Sequence, residues 1–173
     1  MHILSREGSD MTYWATKAQG ALSHLNKVTS IIASLFFITI MLITVYEAIV
    51  RYVFNAPTIW TLEISQYLML IATFLAAAYT LEVGGHIKVD FLVGRLSPGK
   101  RRIVNIISSL LGIIFFAALV WKSTELAWFN FKFGVRSMTL LPIPLFPIYV
   151  IMPIGSFLLL LQGTVQFFLI VKR

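Results

Sequence analysis

The sequence predicts an all-α integral membrane protein with four transmembrane helices, and three observations carry that prediction. Only 12% of the 173 residues are charged while 58% are apolar. A soluble domain carries roughly 25% charge, so this chain has about half the usual supply of solvated side chains. Mean hydropathy is correspondingly high, at +0.87. Four stretches also reach the roughly 20 mostly apolar residues that a helix needs to cross a hydrocarbon core of about 30 Å. Their apolar runs are continuous rather than alternating, which disfavours a closed β-barrel. The absence of cysteine removes disulfide frameworks, thiolate metal sites, iron–sulfur ligation and cysteine nucleophiles.

The elements follow in chain order. Met11, Trp14, Ala15, Ala18, Ala21, Leu22 and Leu25 recur at three- and four-residue intervals, with Asp10 in an N-cap position and Lys17, His24 and Lys27 on the other faces. This predicts an amphipathic helix over about 10–26 that lies in the membrane interface or packs on a partner subunit. The opening residues lack the apolar core of a cleaved signal peptide, so the first span, about 28–50, reads as a retained signal anchor. Residues 53–58 form a tight connection in which Pro57 stops any continuous helix. The second span covers about 60–83, with Glu63 and Glu82 at its ends and Gly84 and Gly85 placed for a left-handed cap. Ile87, Phe91, Leu92 and Leu96 then predict a short interfacial helix, closed by a Ser97-Pro98-Gly99 turn.

The third span, about 103–129, begins after Lys100, Arg101 and Arg102 and is uncharged as far as Trp121. Lys122, Glu125 and Lys132 follow at helical spacing, so this helix is expected to overshoot the bilayer. Pro142, Pro144 and Pro147 stiffen the next connection into a strap. The fourth span, about 145–171, holds no charge, and Pro153 predicts a kink within it. Ten of the fourteen lysines and arginines fall on the side shared by the termini and the middle loop, and four on the other. That bias predicts cytoplasmic N- and C-termini. The basic charge is thus a topology signal; there is no soluble basic face for nucleic acid.

Few residues have the chemistry of a reactive or binding site. All three histidines, His2, His24 and His86, lie outside the spans, which argues against haem ligation. His86 and Asp90 have i,i+4 spacing, but two ligands at a membrane edge read better as an interfacial polar pair than as a metal site. No nucleophile–base set, phosphate loop or zinc motif is present, so neither enzyme activity nor a cofactor is expected. Charges at membrane depth are costly and usually have a role. Glu47 and Arg51 are placed to pair at i,i+4, and Glu63 stands one turn from Gln66 and Tyr67. Arg51 and Glu63 are also close enough in sequence to meet across the outer loop. This cluster either ties two helices together or contacts a partner protein. Ala72, Ala76, Ala77 and Ala78, and Ser108 with Gly112, mark candidate close helix approaches. Ile32, Leu35, Phe36 and Ile43 offer bulk to lipid or to a larger membrane partner.

The most specific feature is the stretch from Arg51-Tyr52 through Trp60 and Glu63, followed by Ala76-Ala77-Ala78-Tyr79 and then Gly85-His86-Ile87-Lys88-Val89-Asp90. In order and spacing it resembles the small four-helix membrane subunit of tripartite ATP-independent periplasmic (TRAP) transporters. The sharp motif covers residues 51–90, and the length and four-helix plan extend the resemblance over the chain. The resemblance implies a multi-pass subunit of the bacterial inner membrane. Its partners would be a large membrane subunit that holds the substrate and sodium sites, a periplasmic binding protein, and membrane lipid. The transported solute would be an organic acid of the sialic acid or C4-dicarboxylate class, a choice that this subunit does not encode. Arg51, Trp60 and Glu63 match the motif on the periplasmic side, at the subunit boundary or beneath the docked binding protein. His86 and Asp90 match on the cytoplasmic side, where they would orient the interfacial loop. The chain stops just past its fourth span, which implies a small subunit separate from the large one. Two other readings compete. One is a self-sufficient homodimeric exporter using Glu47 or Glu63 as its proton-coupled carboxylate. The other is the membrane anchor of an enzyme complex.

Overall fold

Helices make up nearly all of what the computed structural model describes, namely the backbone of residues 3–84, 98–139 and 141–172 and the side chains of 19–84, 99–139 and 141–170. The helices are α1 (Ile3–Val53), α2 (Trp60–Glu82), α3 (Pro98–Phe133), α4 (Phe146–Tyr149) and α5 (Ile151–Lys172). Four segments are long and apolar enough to cross a membrane: Gln19–Val53, Trp60–Glu82, Gly99–Phe133 and Phe146–Ile170. The expected all-α, four-span architecture is therefore present. The predicted interfacial segment and first span fall on one uninterrupted helix, α1, whose 51 residues extend about 76 Å. The predicted interfacial helix after Gly85 lies outside the described residues, as do the side chains of Met11, Trp14, Ala15 and Ala18, whereas Leu25 at the end of the same stripe is exposed.

Local chemistry sets the helix ends. Asn55 adopts φ 51° and turns the chain between α1 and α2, a conformation that asparagine tolerates better than most residues. Gly84, at φ 74°, closes α2, and its N–H bonds the Leu81 carbonyl at 3.2 Å, the expected left-handed end. The 36 residues of α3 span about 54 Å, well beyond a bilayer core, as the spacing of Lys122, Glu125 and Lys132 predicts. Pro153 acts one turn upstream of its own position. It has no N–H for the Tyr149 carbonyl, and its ring crowds that carbonyl. The helix accordingly divides at Val150, which keeps helical backbone angles between α4 and α5.

In the packing, α2 and α5 form the centre, α1 lies against α2 with a lesser contact on α5, and α3 lies against α5. The core is built from small residues: Ala33, Ala72, Ala78 and Ala127 are buried, with Leu158 and Leu159 of α5. The closest approach is at Gly155, where a Cβ would stand 2.4 Å from the Phe74 carbonyl oxygen. At Gly163 it would meet the Phe116 ring at 3.1 Å. Of the alanines expected to mark close approaches, Ala72 and Ala78 are fully buried, and Ala76 and Ala77 partly so. Ser108 is exposed and Gly112 has only Phe116 of its own helix nearby. The close contact of α3 is made at Phe116 instead, because α5 supplies the glycine. The outer faces stay apolar: Ile32 and Leu35 are exposed, while Phe36 and Ile43 are partly covered. No residue in the most apolar stretch of α3 is buried.

Candidate functional site

Two polar clusters stand at opposite ends of this bundle. The first is built on the C-terminal end of α1, the start of α2 and the strap that leaves α3. Glu47 is buried and accepts hydrogen bonds from Arg51, at 2.7 Å from its Nη2 and 3.1 Å from its Nε. It also accepts from the Thr58 backbone N–H at 3.3 Å, from the Thr58 hydroxyl, and from Thr61 Oγ1 at 3.1 Å. Helix α2 has no side-chain cap of its own at Ile59. A carboxylate from α1 therefore supplies negative charge where the N-terminal dipole of α2 is positive. The ion pair with Arg51 is partly open to solvent, since 46% of the Arg51 side chain is exposed.

Glu63 lies one turn into α2, also buried, and holds a different part of the chain. It accepts from Tyr67 Oη at 2.8 Å, Ser137 Oγ at 2.5 Å and Thr139 Oγ1 at 2.5 Å. Ser137 and Thr139 belong to the strap, which begins at Gly134 with φ 55°. The strap folds back on itself through Ser137 N–H to the Ile143 carbonyl, 2.9 Å, and Leu145 N–H to the Val135 carbonyl, 3.1 Å. Each carboxylate thus fixes one connection: Glu47 the 54–59 loop, Glu63 the strap. Trp60 stands between them in sequence, half-exposed, with its ring 6.0 Å from that of Tyr46.

The second cluster joins α1, α2 and α5 at the other end. Asn26, fully buried, donates from Nδ2 to Glu82 Oε2 at 2.9 Å and to Gln162 Oε1 at 3.0 Å. Gln166 Nε2 donates to the Leu81 carbonyl at 2.7 Å. Asn26 Oδ1 and Gln162 Nε2 have no partner among the described residues.

The structure thus brings Glu47 and Arg51 together as their spacing predicts. It does not bring Arg51 to Glu63, because Glu47 takes the guanidinium one turn away and the hydroxyls of the strap and Tyr67 fill the Glu63 carboxylate. Gln66 is exposed and takes no part in the Glu63 cluster; of the predicted stripe only Tyr67 joins it. His86 and Asp90 lie outside the described residues. The hydroxyls Thr58, Thr61, Ser137 and Thr139, and the Asn26–Glu82–Gln162 junction, are absent from the sequence reading. Gln162 and Gln166, an i,i+4 amide pair in an otherwise apolar span, were the available signal for the junction. Among the described residues, no group of three or more His, Cys, Asp or Glu side chains gathers as a metal site would require.

Comparison with known proteins agrees with this architecture. Residues 40–173 match the family model described as tripartite ATP-independent periplasmic transporters, DctQ component. The small permease protein TeaB of an ectoine TRAP transporter from Halomonas elongata is 27% identical over 149 residues, covering 86% of this chain and 75% of TeaB. A putative TRAP transporter small permease protein from Haemophilus influenzae is 25% identical over 118 residues, covering 68% of this chain and 71% of the relative. With four spans on a single bundle and a family match over most of its length, the chain belongs to the DctQ family, the small membrane subunits of TRAP transporters.

Proposed function

We propose that this small permease subunit works as a fixed brace beside the large membrane subunit, with its Arg51–Glu63 end facing the periplasm and presenting part of the surface on which the binding protein docks. One observation carries the reading: each of the four described carboxylates is held by a donor from the chain itself. Glu47 is held by Arg51, Thr58 and Thr61, Glu63 by Tyr67, Ser137 and Thr139, Glu82 by Asn26, and Glu125 by Lys122. A carboxylate that carried ions through the membrane would need to exchange its partners during transport. Glu47, Glu63 and Glu82 are committed to joining helices and connections, and Glu125 is paired on the open face of α3. The unburied apolar face of α3 gives a larger membrane partner ample surface. Cytoplasmic termini follow from the lysine and arginine bias, and His86 and Asp90 would then orient the loop on that side.

The transporter as a whole would use a sodium gradient to import a small carboxylated solute. Sialic acid and C4-dicarboxylates are the classes the family resemblance favours, and the name of the Halomonas relative adds ectoine as a third. The test is to purify the chain through an affinity tag with its large subunit co-expressed. The reconstituted pair and the binding protein are then offered labelled sialic acid, a C4-dicarboxylate and ectoine with and without a sodium gradient. Co-purification and sodium-dependent uptake of one of the three are expected. A tagged chain that leaves the membrane without a larger partner would count against the brace.

A further inference from the structure

The grip of Glu63 on the strap also fixes the depth at which the strap lies. Helix α2 has 23 residues and spans about 34 Å. That is little more than a hydrocarbon core of about 30 Å, so the two ends of α2 mark the two edges of the core. Trp60 opens α2, and Glu63, three residues further in, holds Ser137 and Thr139. The strap is thereby kept at the edge of the hydrocarbon, in the layer of lipid phosphates, and does not stand clear of the membrane. Arg136, which precedes Ser137, and Lys132, in the last turn of α3, are both exposed there.

The chain itself leaves these two charges without a counterion. Arg51 is paired with Glu47 and Lys122 with Glu125, but among the described residues neither Lys132 nor Arg136 has a carboxylate within ion-pair distance. Lys132 Nζ stands over the Phe133 ring, 5.7 Å from its centroid. That ring lies 4.7 Å from Phe129, and both are exposed. Trp128, Phe129 and Lys132 share the side of α3 opposite its buried residues Ser123, Ala127 and Asn130, and the apolar stretch below them has no buried residue. Two cations at phosphate depth above an open aromatic and aliphatic face repeat the order of groups in a phospholipid.

We infer that Lys132 and Arg136 hold the phosphate of an anionic phospholipid whose acyl chains lie over Trp128 and Phe129 along the open face of α3. The planar fork of arginine suits two phosphate oxygens at once, and the ammonium of lysine adds a point charge beside them. Each basic residue near the membrane surface favours an anionic headgroup. Phosphatidylcholine is the poorer ligand, because its own quaternary ammonium already compensates the phosphate. Since Arg136 adjoins Ser137, the lipid and Glu63 would secure the strap from two sides.

The test takes the purified complex of this chain with its large subunit, incubated in detergent with equal amounts of dioleoyl phosphatidylglycerol and dioleoyl phosphatidylcholine, and counts retained lipids by native mass spectrometry. The parent should retain phosphatidylglycerol about tenfold over phosphatidylcholine. Lys132→Gln with Arg136→Gln should carry one phosphatidylglycerol fewer, with its melting temperature in phosphatidylcholine unchanged. Lys132→Arg with Arg136→Lys should keep that lipid, and excess glycerol 3-phosphate should not displace it. Should the double glutamine variant fail to assemble, each single glutamine variant is expected to weaken retention about threefold, and unchanged retention in both would refute the site. Equal retention by parent and double variant would overturn the inference, as would a preference lost only with Lys100→Gln and Arg101→Gln at the opposite end. Displacement by glycerol 3-phosphate would make this a site for soluble anions, and retention by the chain alone but not by the complex would give the cations to the large subunit; either result overturns the lipid.

Discussion

Replacing Gly155 with alanine tests whether the α2–α5 contact sets the geometry of the bundle. The new Cβ would lie 2.4 Å from the Phe74 carbonyl oxygen and 2.8 Å from the Phe74 carbonyl carbon and Cβ. Non-bonded heavy atoms are comfortable at about 3.5–4.0 Å. Because the obstacle is backbone, which cannot rotate aside, the two helices must separate by roughly 1 Å. Such overpacking costs about 1–3 kcal/mol, against which alanine recovers up to about 1 kcal/mol of helix propensity. The net expectation is a destabilisation of about 1–2 kcal/mol. Gly112→Ala is the control, since its Cβ meets only Phe116 Cε2 at 3.8 Å. There the propensity gain is unopposed, and the variant should melt at or above the parent. Gly163→Ala falls between them, because the ring of Phe116 at 3.1 Å can yield where a backbone cannot. Thermal unfolding of all three in one detergent gives the order. A Gly155→Ala protein as stable as the parent, or less affected than Gly112→Ala, would refute the reasoning.

Three further outcomes follow from the polar clusters. Glu63→Ala should raise amide exchange at Ser137 and Leu145 about tenfold by releasing the strap; unchanged protection would mean that something else holds it. Gln162→Ala, at a fully buried site, should cost about 1–2 kcal/mol of thermal stability, and adding Asn26→Ala should cost less than the sum because the two share one bond; full additivity would deny the junction. Arg51→Ala should cost no more than about 1 kcal/mol, because its side chain is half in solvent and Glu47 keeps Thr58 and Thr61; a much larger loss of stability would show the ion pair to be a keystone of the bundle.

The sequence made the architecture legible because bilayer thickness imposes a length on every apolar run, and four runs met it. The Glu47–Arg51 pair was equally readable, since i,i+4 spacing on one helix fixes the distance between side chains without any tertiary information. What Glu63 touches was not readable. Its partners Ser137 and Thr139 lie more than 70 residues away, on a strap whose course depends on where α3 and α5 come to rest. The same limit hid the Asn26–Glu82–Gln162 junction, which needs three helices in register. Glycines mislead in a simpler way. Gly112 has the spacing of a close-contact residue, yet the contacts are at Gly155 and Gly163, because they lie on the central helix α5, which has α2 and α3 pressed against it. Ser108, on the unpartnered face of α3, shows that a small residue marks a close approach only where another helix arrives.

A subunit that only braces a transporter has no ion path of its own. The most direct measurement compares proteoliposomes holding this chain alone with vesicles holding it together with the large subunit and binding protein, under imposed sodium and proton gradients. Solute flux at the level of empty vesicles is expected for the chain alone, and uptake once the other two components are present. Flux by the isolated chain that Glu47→Gln and Glu63→Gln together abolish would contradict it, and would make those carboxylates carriers rather than clasps.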